Sequence, residues 1–270
     1  MLYAYVVISA AAVPILDKFL PILRQSYSWW LVPVMFVGGI VALILLQVII
    51  SAVSFAVVNM EKPPKAPRYY RFIAKNIVSL LVPLVRLKIE TENAEKLPDS
   101  GRFIIVCNHR HISDPVALLW AFPDSELTFL SKREVSDYPI VGKALHSIYG
   151  VFIDRDSMRD SAKAIVSAIK LIKDDRASVG IFPEGHRTID GELLPFKSGA
   201  FKIAQKTKSP VVVCDIRGSE KIFNKFILKK HTIKIKLLDV ITHEQYADMT
   251  ADELCEKSRN IILEDLKSNT

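Results

Sequence analysis

The sequence predicts an α/β fold in which a central, mostly parallel sheet is covered by helices and is preceded by N-terminal membrane helices. From about residue 90, short runs rich in β-branched residues alternate with helical patterns, as in strand–helix–strand units. Residues 31–58 contain no charged side chain, and this stretch exceeds the roughly 20 residues that cross a bilayer as a helix. We therefore divide the chain into hydrophobic segments at 1–60, a basic linker at 61–90 and one α/β domain at 91–270.

Two stretches of the hydrophobic region are candidate membrane helices. The stronger is 31–58, where Trp29 and Trp30 stand at the start and favour the headgroup region of a bilayer; the alternative is a buried core helix. The weaker is 2–16, a shorter apolar run interrupted by Pro14. Basic residues follow the second stretch closely, so the positive-inside rule places the chain from residue 61 onward in the cytoplasm. The expected protein is integral to the cell membrane, and its α/β domain faces the cytoplasm.

The linker carries a further membrane signal. Residues 61–68 are rich in proline and charge, and apolar residues then recur near helical spacing through 68–90. This pattern predicts an amphipathic helix that lies on the cytoplasmic face of the membrane. The alternative is an ordinary helix packed on the core of the domain. The apolar residues are Phe72, Ile73, Ile77, Leu80, Leu81 and Leu84.

The elements of the α/β domain follow from hydrophobic pattern and turn residues. The predicted buried strands are Phe103–Cys107, Leu127–Leu130, Val151–Asp154, Val179–Phe182 and Val211–Asp215. The predicted helices are Pro115–Phe122, Pro139–Ile148, Met158–Lys173 and Lys197–Lys206. Alternation of apolar and polar residues in Thr232–Leu237 predicts a half-exposed edge strand whose lysines discourage edge pairing. Thr242 and Thr250, with Gln245 and Glu253 three residues later, predict capping boxes that open C-terminal helices.

Charge and cysteine content restrict the function classes. The formal net charge is +7. A basic protein with a membrane segment favours an anionic lipid surface or an anionic substrate over nucleic acid as partner. The cysteines Cys107, Cys214 and Cys255 are isolated and form no CxxC pair. This usage is typical of a reducing compartment.

The stretch NHRHISDP at 108–115 contains the first candidate site. It follows a predicted buried strand, and Pro115 is favoured at the first position of a helix, so the stretch is a strand-to-helix turn at a sheet edge. Across such a turn, the side chain of Asp114 can fold back on His109, fix its tautomer and leave the other ring nitrogen as a general base. One alternative is that Asp114 only caps the helix.

A second alternative for the same stretch is a metal site. His109, His111 and Asp114 are all potential ligands. Such a site usually needs a further ligand, which the fold would have to bring from His146 or His186. This interpretation predicts a metal-dependent hydrolase.

Cations follow three other predicted strands. SKRE places Lys132, GVFIDRD places Arg155 and IFPEGHRT places Arg187 just beyond a strand, at the same topological position as His109. If these strands are neighbours, a base and several cations converge on one pocket that suits phosphate. Gly185 permits close approach of backbone N–H groups to a ligand and to a developing oxyanion. Taken singly, Arg155 could pair with a neighbouring aspartate, and FPEG could be a plain β-turn.

These stretches, in this order, resemble the motif blocks of the glycerolipid acyltransferases, and they are most similar to those of the bacterial lysophosphatidate (1-acylglycerol-3-phosphate) acyltransferases. The resemblance covers about residues 70–240. Its most specific part is HxxxxD followed some seventy residues later by FPEGxR. The blocks are Asn108-His109-x4-Asp114, GVFIDRD, IFPEGHRT with FKSGAF, and SPVVV.

The resemblance implies a membrane-bound enzyme that moves a fatty acyl group from an acyl thioester to the free hydroxyl of lysophosphatidate and so forms phosphatidate. His109 would be the base and Asp114 would orient it. The acceptor site would comprise Arg155, Glu184, Gly185 and Arg187, with Lys132 adding to it. The co-substrate would be a thioester of acyl-carrier protein or coenzyme A, and no metal or other cofactor is expected.

Two departures from the family pattern affect the details. His186 stands where threonine is more usual, and the fourth block reads VVVCD where a proline commonly lies between the valines. The acceptor site and the acyl-chain preference therefore stay open. The other hypotheses are a different acceptor, such as glycerol-3-phosphate or a lyso-aminolipid, and a non-catalytic lipid-binding membrane protein.

Overall fold

A computed structural model describes residues 2–19, 30–65, 67–188, 192–222 and 230–268. At the N-terminus it contains helices α1 (Leu2–Phe19) and α2 (Leu31–Ala56), which pack on each other. Among the described residues, α2 is the helix that is long and apolar enough to cross a membrane. The second hydrophobic segment is therefore helical as predicted, although it ends at residue 56. Trp29, expected at its start, lies outside the described residues.

The linker region differs from its prediction. Helix α3 spans Pro67–Leu84, and the chain then turns through Arg86, whose φ is +54°, into strand β1 (Leu87–Glu92). The prediction of one helix through residue 90 was thus wrong, because the apolar residues of β1 continue the apparent spacing of the helix. Several α3 side chains are buried, as expected of a helix packed on the domain core, whereas Phe72, Leu81 and Leu84 stay exposed. The buried apolar residues are Ile73, Val78, Leu80 and Val82.

The α/β domain contains a seven-stranded sheet with strand order β1-β7-β6-β2-β5-β3-β4. Strands β6, β2, β5, β3 and β4 run parallel, while β7 is antiparallel to β6 and parallel to β1. The prediction of a mostly parallel sheet is therefore confirmed. The strands are β2 (Ile104–Cys107), β3 (Leu127–Lys132), β4 (Val151–Ile153), β5 (Ser178–Ile181), β6 (Val211–Arg217) and β7 (His231–Ile241).

Strand β7 is not the edge strand that the alternation TIKIKL predicted. It pairs with β6 on one side and with β1 on the other, so the unforeseen β1 forms the edge. The alternation arises because Ile233 and Ile235 are buried on one face while Lys234 is exposed on the other. Alternation reports which face of a strand is covered and carries no information about its neighbours in the sheet.

Helices cover both faces of the sheet. In β2, Ile104 and Val106 belong to the core beneath α6, α7 and α9, whereas Ile105 and Cys107 pack on the side of α4. Both predicted capping boxes are present, at Thr242 and Thr250. The helices are α4 (Asp114–Ala121), α5 (Val141–Ser147), α6 (Met158–Lys173), α7 (Lys202–Thr207), α8 (His243–Tyr246) and α9 (Ala251–Ser268), with 3-10 turns at Ala94–Lys96, Arg133–Asp137, Ser198–Phe201 and Ser219–Lys221.

The parallel strands define two edges of the sheet. We call the edge at which β2, β5, β3 and β4 end the carboxyl edge, and the edge at which they begin the amino edge. The predicted site residues all follow strand ends, so the topology gathers them at the carboxyl edge, where ligands of α/β folds bind.

Candidate functional site

The turn between β2 and α4 contains a buried carboxylate that folds back on a histidine. Asp114 Oδ2 lies 2.8 Å from His109 Nδ1 and also accepts the backbone N–H groups of Arg110 and His111, at 2.7 and 2.8 Å. Asp114 therefore does more than begin the helix, because its carboxylate organises the preceding turn. Because Asp114 Oδ2 acts as an acceptor in the turn, the tautomer that fits this contact has its proton on Nδ1 and a lone pair on Nε2.

The imidazole of His109 also stacks on an aromatic ring. The ring centroids of His109 and Phe182 are 4.4 Å apart, and the angle between the ring planes is 27°. The His109 side chain retains 18% of its exposure, whereas Asp114 is fully buried. The arrangement fixes the ring and leaves it partly accessible, which a general base requires.

The turn itself is anchored to the neighbouring strand by Asn108. Its side-chain amide donates to the carbonyl of Ile216 at 3.0 Å, and its side-chain oxygen accepts the N–H of the same residue at 2.7 Å. Asn108 is buried, so this pair replaces a rung of the sheet at the point where β2 ends. The sequence placed Asn108 in the motif without indicating this role.

The side chain of Glu184 also supports the turn, because it binds the backbone of the turn. Its carboxylate accepts the N–H of His109 at 2.7 Å and the N–H of Leu194 at 3.0 Å. Burial raises the pKa of Glu184, while these two donors and the charge of Arg110 act in the opposite direction. Glu184 was predicted to bind the acceptor, but the structure directs its carboxylate to the backbone that positions His109.

Gly185 lies between two cationic side chains. A Cβ added to it would lie 3.2 Å from Lys197 Nζ and 3.6 Å from Arg155 Nη1. Its φ is +77°, a backbone conformation that residues with a side chain rarely adopt. Its own N–H donates to the carbonyl of Phe182 at 3.2 Å. The missing side chain leaves space between the two cations.

Lys197 is a site residue that the sequence analysis did not identify. Its N–H donates to the carbonyl of Pro183 at 2.9 Å, which fixes its backbone beside the turn that contains Gly185. Its side chain is exposed, and among the described residues it has no carboxylate within ion-pair distance. The available signal was its place in FKSGAF, but no predicted strand precedes it.

The three cations that were predicted from the sequence occupy different positions at the same edge. Arg155 forms no ion pair with either flanking aspartate within the described part of the chain, although the charge of Glu134 acts on it. Lys132 is half-exposed and pairs with Glu134 at 2.5 Å. Arg187 is exposed, and its charge acts on His111. Thus Arg155 and Lys197 both lie beside Gly185, while Lys132 lies in a surface ion pair.

A buried arginine, Arg110, affects the carboxylates behind the turn. Burial raises the pKa values of both Glu184 and Asp215, and the charge of buried Arg110 partly opposes this effect. Arg110 was not identified from the sequence, because an arginine in a short turn is normally exposed. Its charge favours the ionised form of the Glu184 carboxylate, which lies behind the turn that carries His109.

The metal-site interpretation required a third or fourth ligand near His111. Its Nδ1 lies 2.9 Å from Ser113 Oγ, and burial lowers its pKa. His146 contacts the backbone carbonyl of Lys62 at 2.9 Å. Across the described residues, no group of three or more His, Cys, Asp or Glu side chains is arranged to hold a metal ion. The ligand set that this interpretation needs is therefore not assembled here.

Comparison with known proteins identifies similar sequences and a similar fold. A sequence model of the acyltransferase family matches residues 88–217. The chain is 30% identical over 184 residues to the 1-acyl-sn-glycerol-3-phosphate acyltransferase of Bacillus subtilis, covering 68% of this chain and 88% of the relative. It is 32% identical over 234 residues to the chloroplast 1-acyl-sn-glycerol-3-phosphate acyltransferase BAT2 of Brassica napus, covering 85% of this chain. It spans 64% of that relative's length, which is just under two thirds.

The fold is also that of a solved structure. The crystal structure of the 1-acyl-sn-glycerophosphate acyltransferase PlsC from Thermotoga maritima superposes with a TM-score of 0.63 at 22% identity. The superposition covers 81% of this chain and 86% of the other. This likeness extends the agreement from the motif blocks to the arrangement of strands and helices.

Proposed function

The chain belongs to the acyltransferase family, and we propose that it transfers a fatty acyl group from an acyl thioester to the free hydroxyl of lysophosphatidate, giving phosphatidate. The observation that carries the proposal is the pair formed by His109 and buried Asp114 at the same sheet edge as Arg155 and Lys197. A base beside an anion-binding cradle is the combination needed to activate the hydroxyl of a phosphorylated acceptor. The names of the relatives support this choice of acceptor.

In the proposed reaction, His109 acts first as a general base and then as a general acid. Nε2 removes the proton from the acceptor hydroxyl as its oxygen attacks the thioester carbonyl carbon, and a C–O bond forms. Asp114 stabilises the imidazolium that results, because its carboxylate bonds Nδ1–H. Collapse of the tetrahedral adduct breaks the C–S bond, and His109 returns the proton to the thiolate sulfur. The products are an ester and a free thiol, with no covalent enzyme intermediate.

The proposed acceptor site centres on the space beside Gly185. The phosphate of lysophosphatidate would lie between Arg155 and Lys197, which combine a planar guanidinium with a point charge. Arg187 and Lys132 add positive charge around this position. Glu184 acts as a positioning residue, since it holds the backbone of His109 from behind.

The membrane setting is part of the proposal. We place α2 across the cell membrane and the α/β domain on its cytoplasmic side, where acyl-carrier protein or coenzyme A thioesters are the donors. An anchored site meets both the lipid acceptor and the lipid product at the interface. The basic composition suits an anionic lipid surface and an anionic acceptor, with no role for nucleic acid.

The test is acyl transfer by the detergent-purified full chain from a labelled thioester, with lysophosphatidate and glycerol-3-phosphate as parallel acceptors. We expect phosphatidate from lysophosphatidate, and a loss of roughly 10²- to 10⁴-fold in kcat for His109→Ala, the range for a missing general base. His111→Ala, two positions away, is the matched control and should stay within severalfold of the parent. Transfer to neither acceptor would overturn the proposed reaction, and an inactive His111→Ala with active His109→Ala would overturn the assignment of the base.

A further inference from the structure

A short apolar segment projects from the carboxyl edge. Tyr138, Ile140 and Val141 are exposed by 50, 59 and 55%, and Pro139 between them is also exposed. We call these four residues the Tyr138–Val141 tip. Single exposed apolar residues are ordinary on protein surfaces, whereas large ones clustered at one projecting turn mark an interaction site.

The backbone around the tip is held by local contacts. Gly142 packs so closely on the preceding 3-10 turn that an added Cβ would lie 2.4 Å from the carbonyl oxygen of Ser136. The Gly142 N–H donates to the carbonyl of Tyr138 at 2.8 Å, and Ser136 Oγ donates to the carbonyl of Arg133 at 2.6 Å. These contacts fix the backbone on both sides of the tip with its side chains exposed.

The residues just after the tip contact the end of the candidate membrane helix. Lys143 Nζ donates to the carbonyl of Ala56, the last residue of α2, at 2.9 Å. The ring of His146 contacts the carbonyl of Lys62 at 2.9 Å. Because Ile140 precedes Lys143 by three residues, it lies within about one helical turn of the residue that binds the end of α2.

The tip is also joined directly to the candidate site. Strand β3 ends at Lys132 on the carboxyl edge, and the 3-10 turn Arg133–Asp137 runs from there into Tyr138. Lys132, Arg133 and Lys143 flank the tip in sequence and are exposed or partly exposed; Lys132 pairs with Glu134 and Arg133 with Asp160. Aromatic and basic residues favour the headgroup region of a bilayer, and aliphatic residues favour the acyl chains beneath it.

We propose that the Tyr138–Val141 tip inserts into the cytoplasmic leaflet and seats the carboxyl edge on the lipid surface. The proposal rests on the membrane setting of the proposed function, with α2 crossing the bilayer. Tyr138 lies at headgroup level and Ile140 and Val141 reach the acyl chains. A lipid acceptor then reaches His109 by lateral movement within the leaflet, without transfer through water.

A spectroscopic test measures whether the tip is in contact with lipid and does not depend on enzymatic activity. The three native cysteines are buried, so a thiol introduced by Ile140→Cys can be labelled selectively with an environment-sensitive fluorophore. The matched control is Val166→Cys on α6, an apolar residue exposed by 64%. The full chain is reconstituted into vesicles of phosphatidylcholine and phosphatidylglycerol, with and without nitroxide-labelled lipid.

We expect blue-shifted emission and strong quenching by nitroxide lipid for the probe at 140, and neither for the probe at 166. Equal quenching at the two positions overturns the proposal. So does emission at 140 that depends on protein concentration and is insensitive to nitroxide lipid, since it assigns the tip to self-association. A chain that fails to float with vesicles overturns the membrane setting together with the tip. Absence of acyl transfer alone would leave this result intact and would refute only the proposed reaction.

A kinetic test separates insertion from catalysis. The double variant Ile140→Ser, Val141→Ser removes apolar surface that the fold does not bury, so folding is expected to be unaffected. With lysophosphatidate in vesicles, we expect KM to rise roughly tenfold or more, from the lost partition of two half-exposed aliphatic side chains. With a short-chain, monomeric lysophosphatidate, kcat/KM should equal that of the parent. An equal loss with both acceptors would assign the tip to the catalytic fold and overturn the proposal.

Discussion

The two edges of the parallel strands both carry cations, and these cations have different partners. At the carboxyl edge, Arg155 and Lys197 flank Gly185 and have no carboxylate within ion-pair distance among the described residues. At the amino edge, Arg102 pairs with Glu126 at 2.5 Å and with Asp175 at 2.7 Å. The comparison distinguishes positive charge that is available to a ligand from positive charge that is already used by the fold.

Arg71 illustrates the structural use of charge at the amino edge. Its guanidinium donates to the carbonyls of Leu127 at 2.7 Å and Ile148 at 3.3 Å, and thereby joins α3 to the starts of β3 and β4. Burial lowers the pKa of Arg71 to about 10, a value at which it still carries its charge at neutral pH. The charge of Arg71 is therefore engaged by backbone carbonyls of the fold.

The largest effect expected of a carboxyl-edge variant is that of Asp114→Asn. The substitution preserves shape and can keep the backbone hydrogen bonds of the turn, but it removes the charge that stabilises protonated His109. We expect kcat to fall by roughly 100-fold or more with little change in KM. Steady-state acyl transfer measures this, and circular dichroism confirms the fold. A parent-like kcat would show that the carboxylate serves the turn alone.

The next largest effect should come from Lys197→Met, which keeps the aliphatic stem and removes the charge. One charge-assisted contact with the acceptor phosphate contributes about 1.5–3 kcal/mol, so kcat/KM should fall roughly 10- to 100-fold, mainly through KM. Lys202→Met, on the next helix, is the control. A variant with parent KM would mean that the charge beside Gly185 is not used by the acceptor.

Glu184→Gln tests whether a charged residue at the carboxyl edge serves the fold or the ligand. Glu184 lies at this edge, but its carboxylate contacts backbone N–H groups. An amide can accept only one of the two N–H groups that the carboxylate accepts and presents a donor to the other. We expect a loss of about 1–3 kcal/mol in the free energy of unfolding, together with a lower kcat. Chemical denaturation and acyl transfer measure the two quantities. An increase in KM alone, at unchanged stability, would instead support the predicted role in acceptor binding.

The smallest effect on activity should come from Arg102→Met at the amino edge. Removing its contacts with Glu126 and Asp175 should lower the free energy of unfolding by about 1–3 kcal/mol, while kcat/KM stays at the parent value. Denaturation and kinetics on the same preparation provide the comparison. A selective loss of activity at unchanged stability would contradict the division between the two edges.

Local features of the chain were readable from the sequence with good accuracy. The contact between His109 and Asp114 was predictable because both residues lie in one turn, where an aspartate at a helix start can fold back on the preceding residues. Helix α6 has the predicted bounds, since its amphipathic period and its capping serine are local signals. The buried strands were readable because uninterrupted apolar runs are typical of parallel strands covered on both faces.

The sequence determined the pair formed by His109 and Asp114, and the tertiary structure decided which other residues lie around it. Strand order made β1 the edge and placed β7 inside the sheet, and hydropathy does not encode which strands are neighbours. The fold brought Glu184 to the backbone of a residue 75 positions away and Lys197 to the side of Arg155. Such contacts depend on how distant segments pack, whereas periodicity and capping reflect interactions within a few residues. The pairing of His109 with Asp114 was therefore local information, and the arrangement of the charges around it was not.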